Sequence, residues 1–298
     1  MIILLAASAA LSFAAGSVLA KRGMQHTNAF TALLLTSSVA AIILGFVVLF
    51  DRPENVTPTA FWFFVMAGLI GDGVARFSML SAVDRLGPSI AIPIQTAAYP
   101  LIAVTGGVVL LSETINMTQV LGAAAVVAGI WVLLAPSSND VLGIDTPRRW
   151  TVIRWSALPL PLLAGVAFAV SDLFRKSGLE ETPDPAFGAL VAVVTMLTVL
   201  VAATASSPQL RRQVKIGTGS GWLIAAGTSI AVALLTLFKA LEGGAVSVVG
   251  PIIAAQPLGV VMLSWALLHN IERVTLRMVL GAVMVVAGVV LIAVSAQP

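Results

Sequence analysis

Two oppositely charged side chains lie four residues apart inside an otherwise apolar stretch of this sequence. Asp72 and Arg76 share one face of a predicted helix, because residues i and i+4 are neighbours on a helix surface. A charge at mid-bilayer depth costs about 2.5–3.5 kcal/mol on insertion scales, so such residues either pair or face a water-filled cavity. We expect this pair to face a cavity and bind a charged group of a solute. The alternative is an internal salt bridge that only fixes helix packing.

Two apolar stretches, 93–113 and 251–272, combine prolines with polar side chains. Proline removes a backbone hydrogen bond and kinks a helix, and the carbonyls freed at a kink need partners or a hydrated cavity. The polar residues are candidates for substrate binding and the prolines for gating hinges. Static kinks, with polar groups bonded to neighbouring helices, are the alternative. The candidate binding residues are Gln95, Thr96, Tyr99 and Gln256, and the candidate hinges are Pro93, Pro100, Pro251 and Pro257.

Three further positions carry weaker signals. Lys239 is a candidate cavity residue, although a lysine near a helix end can also snorkel to the headgroups. Trp265 is a candidate to point inward, whereas the other tryptophans mostly fall near predicted helix ends, as an interfacial belt would. Asp172 falls in the last turn of a predicted helix beside Arg175 and Lys176, so we expect a solvated cluster at the membrane interface.

Composition excludes a large soluble domain. The chain has 298 residues, of which 59% are hydrophobic and 10% charged, against about 25% charged in soluble domains. Its mean hydropathy is +1.04. Lipid must therefore be the solvent for most of this surface. Lysines and arginines are scattered through short loops, so no nucleic-acid partner is expected. The chain has no cysteine and two histidines, so we expect no metal site, no cofactor and no enzyme.

The apolar segments predict ten membrane-spanning helices, since a bilayer needs about 20 residues for each. The predicted spans are 1–20, 28–50, 61–83, 88–111, 118–135, 155–174, 185–205, 222–241, 245–268 and 274–294.

The second half of the chain repeats the first. VLGAAAVVAGIWVLL (120–134) aligns with VLGAVMVVAGVVLIA (279–293), and acids, prolines and serines upstream align with small gaps. We therefore expect a five-helix repeat at 1–137, a connecting loop at 138–152 and a second repeat at 153–298. Five is odd, so the second copy enters the membrane from the opposite side. The predicted fold is an all-α integral membrane protein, a 5+5 inverted repeat around a central cavity.

Two long stretches resemble one known family. LGPSIAIPIQTAAYPLIAVTGGVVLLSETINMTQVLGAAAVVAG (86–129) and GGAVSVVGPIIAAQPLGVVMLSWALLHNIERVTLRMVLGAVMVVAG (243–288) resemble the proline-bearing helix, acidic hinge and glycine-rich helix of the drug/metabolite transporter superfamily, in its ten-helix EamA-type branch. The resemblance implies a basket of ten helices with a cavity lined by helices 1, 3, 4, 6, 8 and 9. It also implies export or exchange of small metabolites, often amino acids.

The sequence thus predicts a multi-pass cell-membrane transporter of small polar metabolites, working by alternating access as a monomer or homodimer. An intramembrane enzyme on a lipid-linked substrate, or a non-transporting subunit of a membrane complex, are the alternatives. Orientation stays open. The positive-inside rule puts both termini outside, because the loops after odd-numbered spans carry most of the basic residues, whereas members of the family are expected to have cytoplasmic termini.

Overall fold

The protein is all-helical in the residues that its computed structural model describes. These residues are 1–50, 53, 56–86, 88, 91–92, 94–96, 99, 102, 109–110, 116–134, 157–268, 280–281, 283–284, 287–288 and 291. The α-helices within them are α1 (Ile2–Gly23), α2 (Ala29–Phe50), α3 (Pro58–Ala67), α4 (Arg76–Leu86), α5 (Met117–Leu134), α6 (Pro159–Glu181), α7 (Pro185–Ser206), α8 (Pro208–Gln213), α9 (Ser220–Gly243), α10 (Val246–Ile253) and α11 (Gln256–Leu268).

Five helical stretches among the described residues are long and apolar enough to cross a membrane. They are α1, α2, Pro58–Leu86, α7 and α9. Their positions agree with the predicted spans to within a few residues. The expected connecting loop at 138–152 lies outside the described residues, as do most of the fourth and tenth predicted spans. The count of ten spans and the 5+5 repeat therefore remain predictions.

The third span is not a uniform α-helix. Between α3 and α4 the backbone runs as a π-helical segment over Gly68–Ala75, which the sequence analysis did not predict. Such a segment widens the helix locally and is frequent at functional sites. Glycine makes one close contact here possible, since a Cβ on Gly68 would lie 2.3 Å from the carbonyl oxygen of Ala192 in α7. The segment therefore packs directly on the α7 backbone.

The ninth span is broken, as its prolines predict. Helix α10 contains Pro251 and ends at Ile253, a turn follows at 254–255, and α11 begins with Gln256 and Pro257. Proline has no backbone N–H, so Pro257 cannot donate to a continued α10, while its fixed φ suits the first turn of a new helix. Two short helices thus replace one long one near the middle of the bundle.

Two contacts between loops define the two ends of the bundle. At what we call the Met24 end, the Thr27 hydroxyl donates to the Lys215 carbonyl at 3.0 Å. At the opposite Thr57 end, the backbone N–H of Thr57 donates to the Thr182 hydroxyl at 3.2 Å. Helices α1, α4 and α7 end towards the Met24 end, whereas α2, α6 and α9 end towards the Thr57 end.

One lysine at each end binds the last turn of another span. Lys21 donates from Nζ to the carbonyl of Asp84 in α4 at 2.9 Å. Lys176 donates from Nζ to the carbonyl of Leu241 in α9 at 3.0 Å. Cations are favourable beside the free carbonyls of a helix C-terminus. Each lysine thus ties two spans together, at opposite ends of the bundle.

Candidate functional site

Asp172 and Arg175 lie in the interior of the bundle, which corrects the expectation of a solvated interfacial cluster. Each of the two residues is 2% exposed. The physical reason is the length of α6, which continues to Glu181 instead of ending near Phe174. Asp172 therefore lies well inside a span, as Asp72 does. Lys176, one residue beyond Arg175, is the member of the predicted cluster that reaches the end of the bundle.

Four charged side chains form one continuous chain through the interior. Arg76 Nη1 lies 3.3 Å from Asp72 Oδ1, and Arg175 Nη2 lies 3.4 Å from Asp72 Oδ2. Arg175 Nη1 lies 2.6 Å from Asp172 Oδ1, and the Tyr99 hydroxyl donates to Asp172 Oδ2. Two positive and two negative charges alternate, so the cluster is neutral overall. The Asp72–Arg76 pair is therefore a salt bridge within a larger polar centre, and its binding of a charged solute group stays a prediction.

The spans on either side anchor the two ends of this chain. Arg76 Nη2 donates to the Thr36 hydroxyl of α2 at 3.2 Å, and that hydroxyl donates to the Ala32 carbonyl at 2.7 Å. At the far end Tyr99, a buried helical residue of the fourth predicted span, binds Asp172. The cluster therefore links the second, third, fourth and sixth predicted spans through side chains alone.

The π-helical segment explains how α6 comes close enough to the third span. The Ser171 hydroxyl donates to the Ala67 carbonyl at 2.9 Å, next to the start of the segment. A Cβ on Gly71 would lie 2.2 Å from Ser171 Oγ and 2.9 Å from Arg175 Nη2. Glycine at this position therefore leaves the space through which Arg175 reaches Asp72.

A cavity of about 70 Å³ opens beside the charged chain. All four charged residues line it, together with Gln95, Tyr99 and Gln256 and apolar residues from α1, α9 and α10. Gln256, the first residue of α11, donates from Nε2 to the Ser17 hydroxyl of α1 at 3.5 Å. A water molecule needs about 10–15 Å³ of such space, so the cavity has room for water. The cavity is central, and its lining combines these charged and amide groups with a larger apolar surface.

The remaining predicted site residues are placed as follows. Lys239 is exposed and does not line the cavity, because it lies on the outer face of α9. Thr96 is buried, and its hydroxyl donates to the Ile92 carbonyl of its own helix at 2.9 Å. Pro251 and Pro257 are buried on either side of the break. Pro93, Pro100 and the side chain of Trp265 lie outside the described residues.

The residues that sequence reasoning missed are Asp172, Arg175 and Thr36. A signal for the first two was present, since Asp172 and Arg175 stand three apart and thus share a helix face, as Asp72 and Arg76 do. The sixth span was predicted to end at residue 174, so this pair was interpreted as part of an interfacial cluster. Thr36 gave no signal, because a lone threonine in an apolar span commonly bonds only to its own backbone.

Comparison with known proteins agrees with this architecture. The model of the EamA-like transporter family matches residues 1–135 and 155–294. A solved crystal structure is similar over 99% of this chain and 97% of its own, with a TM-score of 0.74 and 17% sequence identity. At that identity the similarity shows the fold alone. A comparison with curated proteins finds no match. Since the family match covers both halves of the chain and nearly all of its residues, the protein belongs to the EamA-like transporter family.

Proposed function

We propose that this membrane protein is a secondary transporter that exports or exchanges small polar metabolites, such as amino acids, across the cell membrane by alternating access. The observation that carries the proposal is the neutral chain of four buried charges beside a central cavity. Asp72 and Arg76 come from the first half of the chain, and Asp172 and Arg175 from the second.

The energetics favour a functional role for this chain. Buried ion pairs are expensive to desolvate, and well-packed apolar residues often stabilise a fold equally well or better. A merely structural centre would gain little from four charges in lipid. A non-transporting subunit would be expected to have a dry, apolar centre, whereas the described cavity is lined by charged and amide side chains.

Two elements beside the cavity depart from regular α-helix and could change conformation. The π-helical segment carries Asp72, and the break at 254–255 lies beside Gln256. Broken helices at the centre of the membrane are typical of transporter binding sites. We take these two irregular elements as the parts that rearrange when the cavity opens.

Alternating access needs two gates that close in turn, and the proposed 5+5 inverted repeat would supply them. The two lysine contacts support this symmetry. SVLAKRG (17–23) resembles SDLFRKSG (171–178), and Lys21 and Lys176 each bind the last turn of another span at opposite ends of the bundle. Opening towards one side would release one contact while the other holds.

The test is transport by the purified full-length protein in proteoliposomes. Vesicles loaded with an unlabelled amino acid and diluted into a trace of the labelled one should accumulate label transiently by exchange. Empty liposomes provide the background. Failure to move any member of a broad panel of amino acids and other small polar metabolites would overturn the proposal.

A further inference from the structure

The guanidinium of Arg175 is held unevenly. Its Nη1 atom makes a 2.6 Å contact with Asp172, while its Nη2 atom reaches Asp72 only at 3.4 Å. Its Nε atom is buried and has no hydrogen-bond partner among the described residues. One face of the group is covered by the Phe238 ring, with the guanidinium carbon 5.4 Å from the ring centroid. The weakly satisfied part of Arg175 is therefore its Nε/Nη2 edge.

This edge has the geometry of a carboxylate site. The Nε–H and one Nη2–H of an arginine point in parallel, so they can bind both oxygens of one carboxylate. A buried donor that lacks an acceptor is costly. A carboxylate placed on this edge would satisfy Nε and replace the long contact to Asp72 with a shorter one. Lysine could not reproduce such a fork.

The two aspartates differ in how firmly they hold Arg175. Asp172 is fixed through both oxygens, one to Arg175 and one to Tyr99. Asp72 meets Arg76 at 3.3 Å and Arg175 at 3.4 Å, both long for charge-assisted hydrogen bonds. An incoming anion would therefore displace Asp72 from Arg175 and leave Asp172 in place. Asp72 would keep Arg76 as its partner.

We propose that the Nε/Nη2 edge of Arg175 is the subsite for a carboxylate group of the transported solute, which displaces Asp72 as it binds. The inference rests on the proposed function, because it names the solute that this site would carry. The charges of the four lining residues cancel, so a solute that brings both a carboxylate and a cationic group keeps the centre neutral. The substrate class is therefore a small zwitterion.

Binding at this edge also links recognition to movement. The contact between Asp72 and Arg175 joins the third span to α6. Its loss would let the Asp72 and Arg175 side chains move apart and enlarge the cavity of about 70 Å³ between them, while the bond from Ser171 to Ala67 still holds the two spans together. A solute without a carboxylate would leave this contact intact and the cavity small.

Equilibrium binding tests the subsite without requiring transport. Isothermal titration of the purified full-length protein would use L-amino acids and glycine betaine, each paired with its carboxamide. We expect at least one zwitterion to bind about 10- to 100-fold more tightly than its amide, the range for hydrogen bonds to charged groups. Arg175→Lys should reduce that ratio to near one. Lys239→Arg, on the outer surface, should leave it unchanged.

A second variant keeps the test independent of how Arg175→Lys folds. Asp72→Asn removes the competing charge, so acetate should bind this variant about 10-fold more tightly than the wild-type protein. Equal binding of acids and amides, an unchanged ratio in Arg175→Lys, or unchanged acetate binding in Asp72→Asn would each overturn the subsite. If these binding results appear but no solute crosses proteoliposomes, the subsite stands and the transport function is the part that fails.

Discussion

At the scale of single residues, Asp172 makes the shortest ion-pair contact of the four-charge chain. Both of its oxygens are bonded, and it supplies the short contact to the fully buried Arg175. We expect Asp172→Asn to lower the free energy of unfolding by about 3–5 kcal/mol, because it leaves the buried cluster with one uncompensated positive charge and removes the shortest contact of Arg175. Chemical denaturation in detergent would measure this.

Asp84→Asn is the matched control for that variant. The Asp84 carboxylate is 44% exposed and lies 4.0 Å from Lys21, and the hydrogen bond from Lys21 goes to its backbone carbonyl. We expect a loss of only about 0–1 kcal/mol, as for other exposed pairs. Equal losses in the two variants would contradict a central role for Asp172.

Arg76 and Gln95 test the cavity itself. Arg76→Ala removes the bond to Thr36 and leaves Asp72 with one partner, and Gln95→Ala removes an amide that lines the cavity. Initial rates of exchange in proteoliposomes should fall at least 10-fold for Arg76→Ala and several-fold for Gln95→Ala. Lys239→Gln, whose side chain is exposed outside the cavity, should transport at the wild-type rate. Wild-type rates in both cavity variants would remove these residues from the mechanism.

The sequence predicted part of this residue pattern. Asp72 and Arg76 stood out because two charges at i and i+4 are conspicuous in an apolar span, and the structure pairs them. Their connection to Arg175 could not be predicted, because it depends on the tertiary approach of α6 to the third span. That approach in turn depends on a missing Cβ at Gly71, and a single glycine in an apolar stretch has many possible causes.

At the scale of elements, Gly71 controls how α6 meets the π-helical segment. A Cβ there would lie 2.2 Å from Ser171 Oγ and 2.8 Å from Ser171 Cβ. We expect Gly71→Ala to lower the free energy of unfolding by about 1–3 kcal/mol through overpacking, and to slow transport by pushing Arg175 from Asp72.

Gly45→Ala in α2 is the control, since nothing lies within 4 Å of a Cβ there. It should be neutral or stabilising by up to about 1 kcal/mol. Ser171→Gly should restore stability to Gly71→Ala, because it removes the nearest clashing atoms. If Ser171→Gly does not restore the stability of Gly71→Ala, the destabilisation does not come from the clash with Ser171.

The break in the ninth span should matter for turnover. Pro257→Ala restores a backbone N–H that could donate to the Ile253 carbonyl and so join α10 to α11. We expect this new amide at position 257 to exchange slowly with solvent, and transport to be several-fold slower. Pro185→Ala is the control, because Pro185 stands in the first turn of α7, where its missing N–H costs nothing. Fast exchange at position 257 together with unchanged transport would show that the break does not depend on this proline.

The sequence predicted the positions of the spans well, but it did not predict the irregular backbone inside the third span. The spans of α1, α2, α7 and α9 follow directly from long apolar runs, and the break follows from two prolines six residues apart. The π-helical segment carries no proline and arises where glycines meet neighbouring spans. Such a feature depends on packing, which composition does not specify.

At the scale of the whole molecule, the two ends of the bundle predict how the chain sits in the membrane. Gln25 and Gly217 are exposed in loops at the Met24 end, and Glu181 is exposed at the Thr57 end. Because the chain has no native cysteine, single cysteines at these positions can be labelled one at a time. Gln25→Cys and Gly217→Cys should react from one side of the membrane, and Glu181→Cys from the other.

Charge predicts which side is which. The Met24 end carries more of the described basic residues, and the positive-inside rule therefore makes it cytoplasmic. These residues are Lys21, Arg22, Arg85, Arg211, Arg212 and Lys215. A membrane-impermeant maleimide applied to whole cells should label only Glu181→Cys. Labelling of Gly217→Cys instead would place the N-terminus in the cytoplasm, as expected for the family, and would show that packing outweighs loop charge.

The hydrogen bond between Tyr99 and Asp172 has a practical consequence, because Tyr99 is the only tyrosine of the chain. Tyrosine labelled with carbon-13 only at Cζ, incorporated during expression, would give a single resonance, and that resonance would come from the wall of the cavity. Its chemical shift would report changes in the hydrogen bond of the Tyr99 hydroxyl when a solute binds. The molecule thus contains a one-site spectroscopic probe at its centre, which needs no substitution and no attached dye.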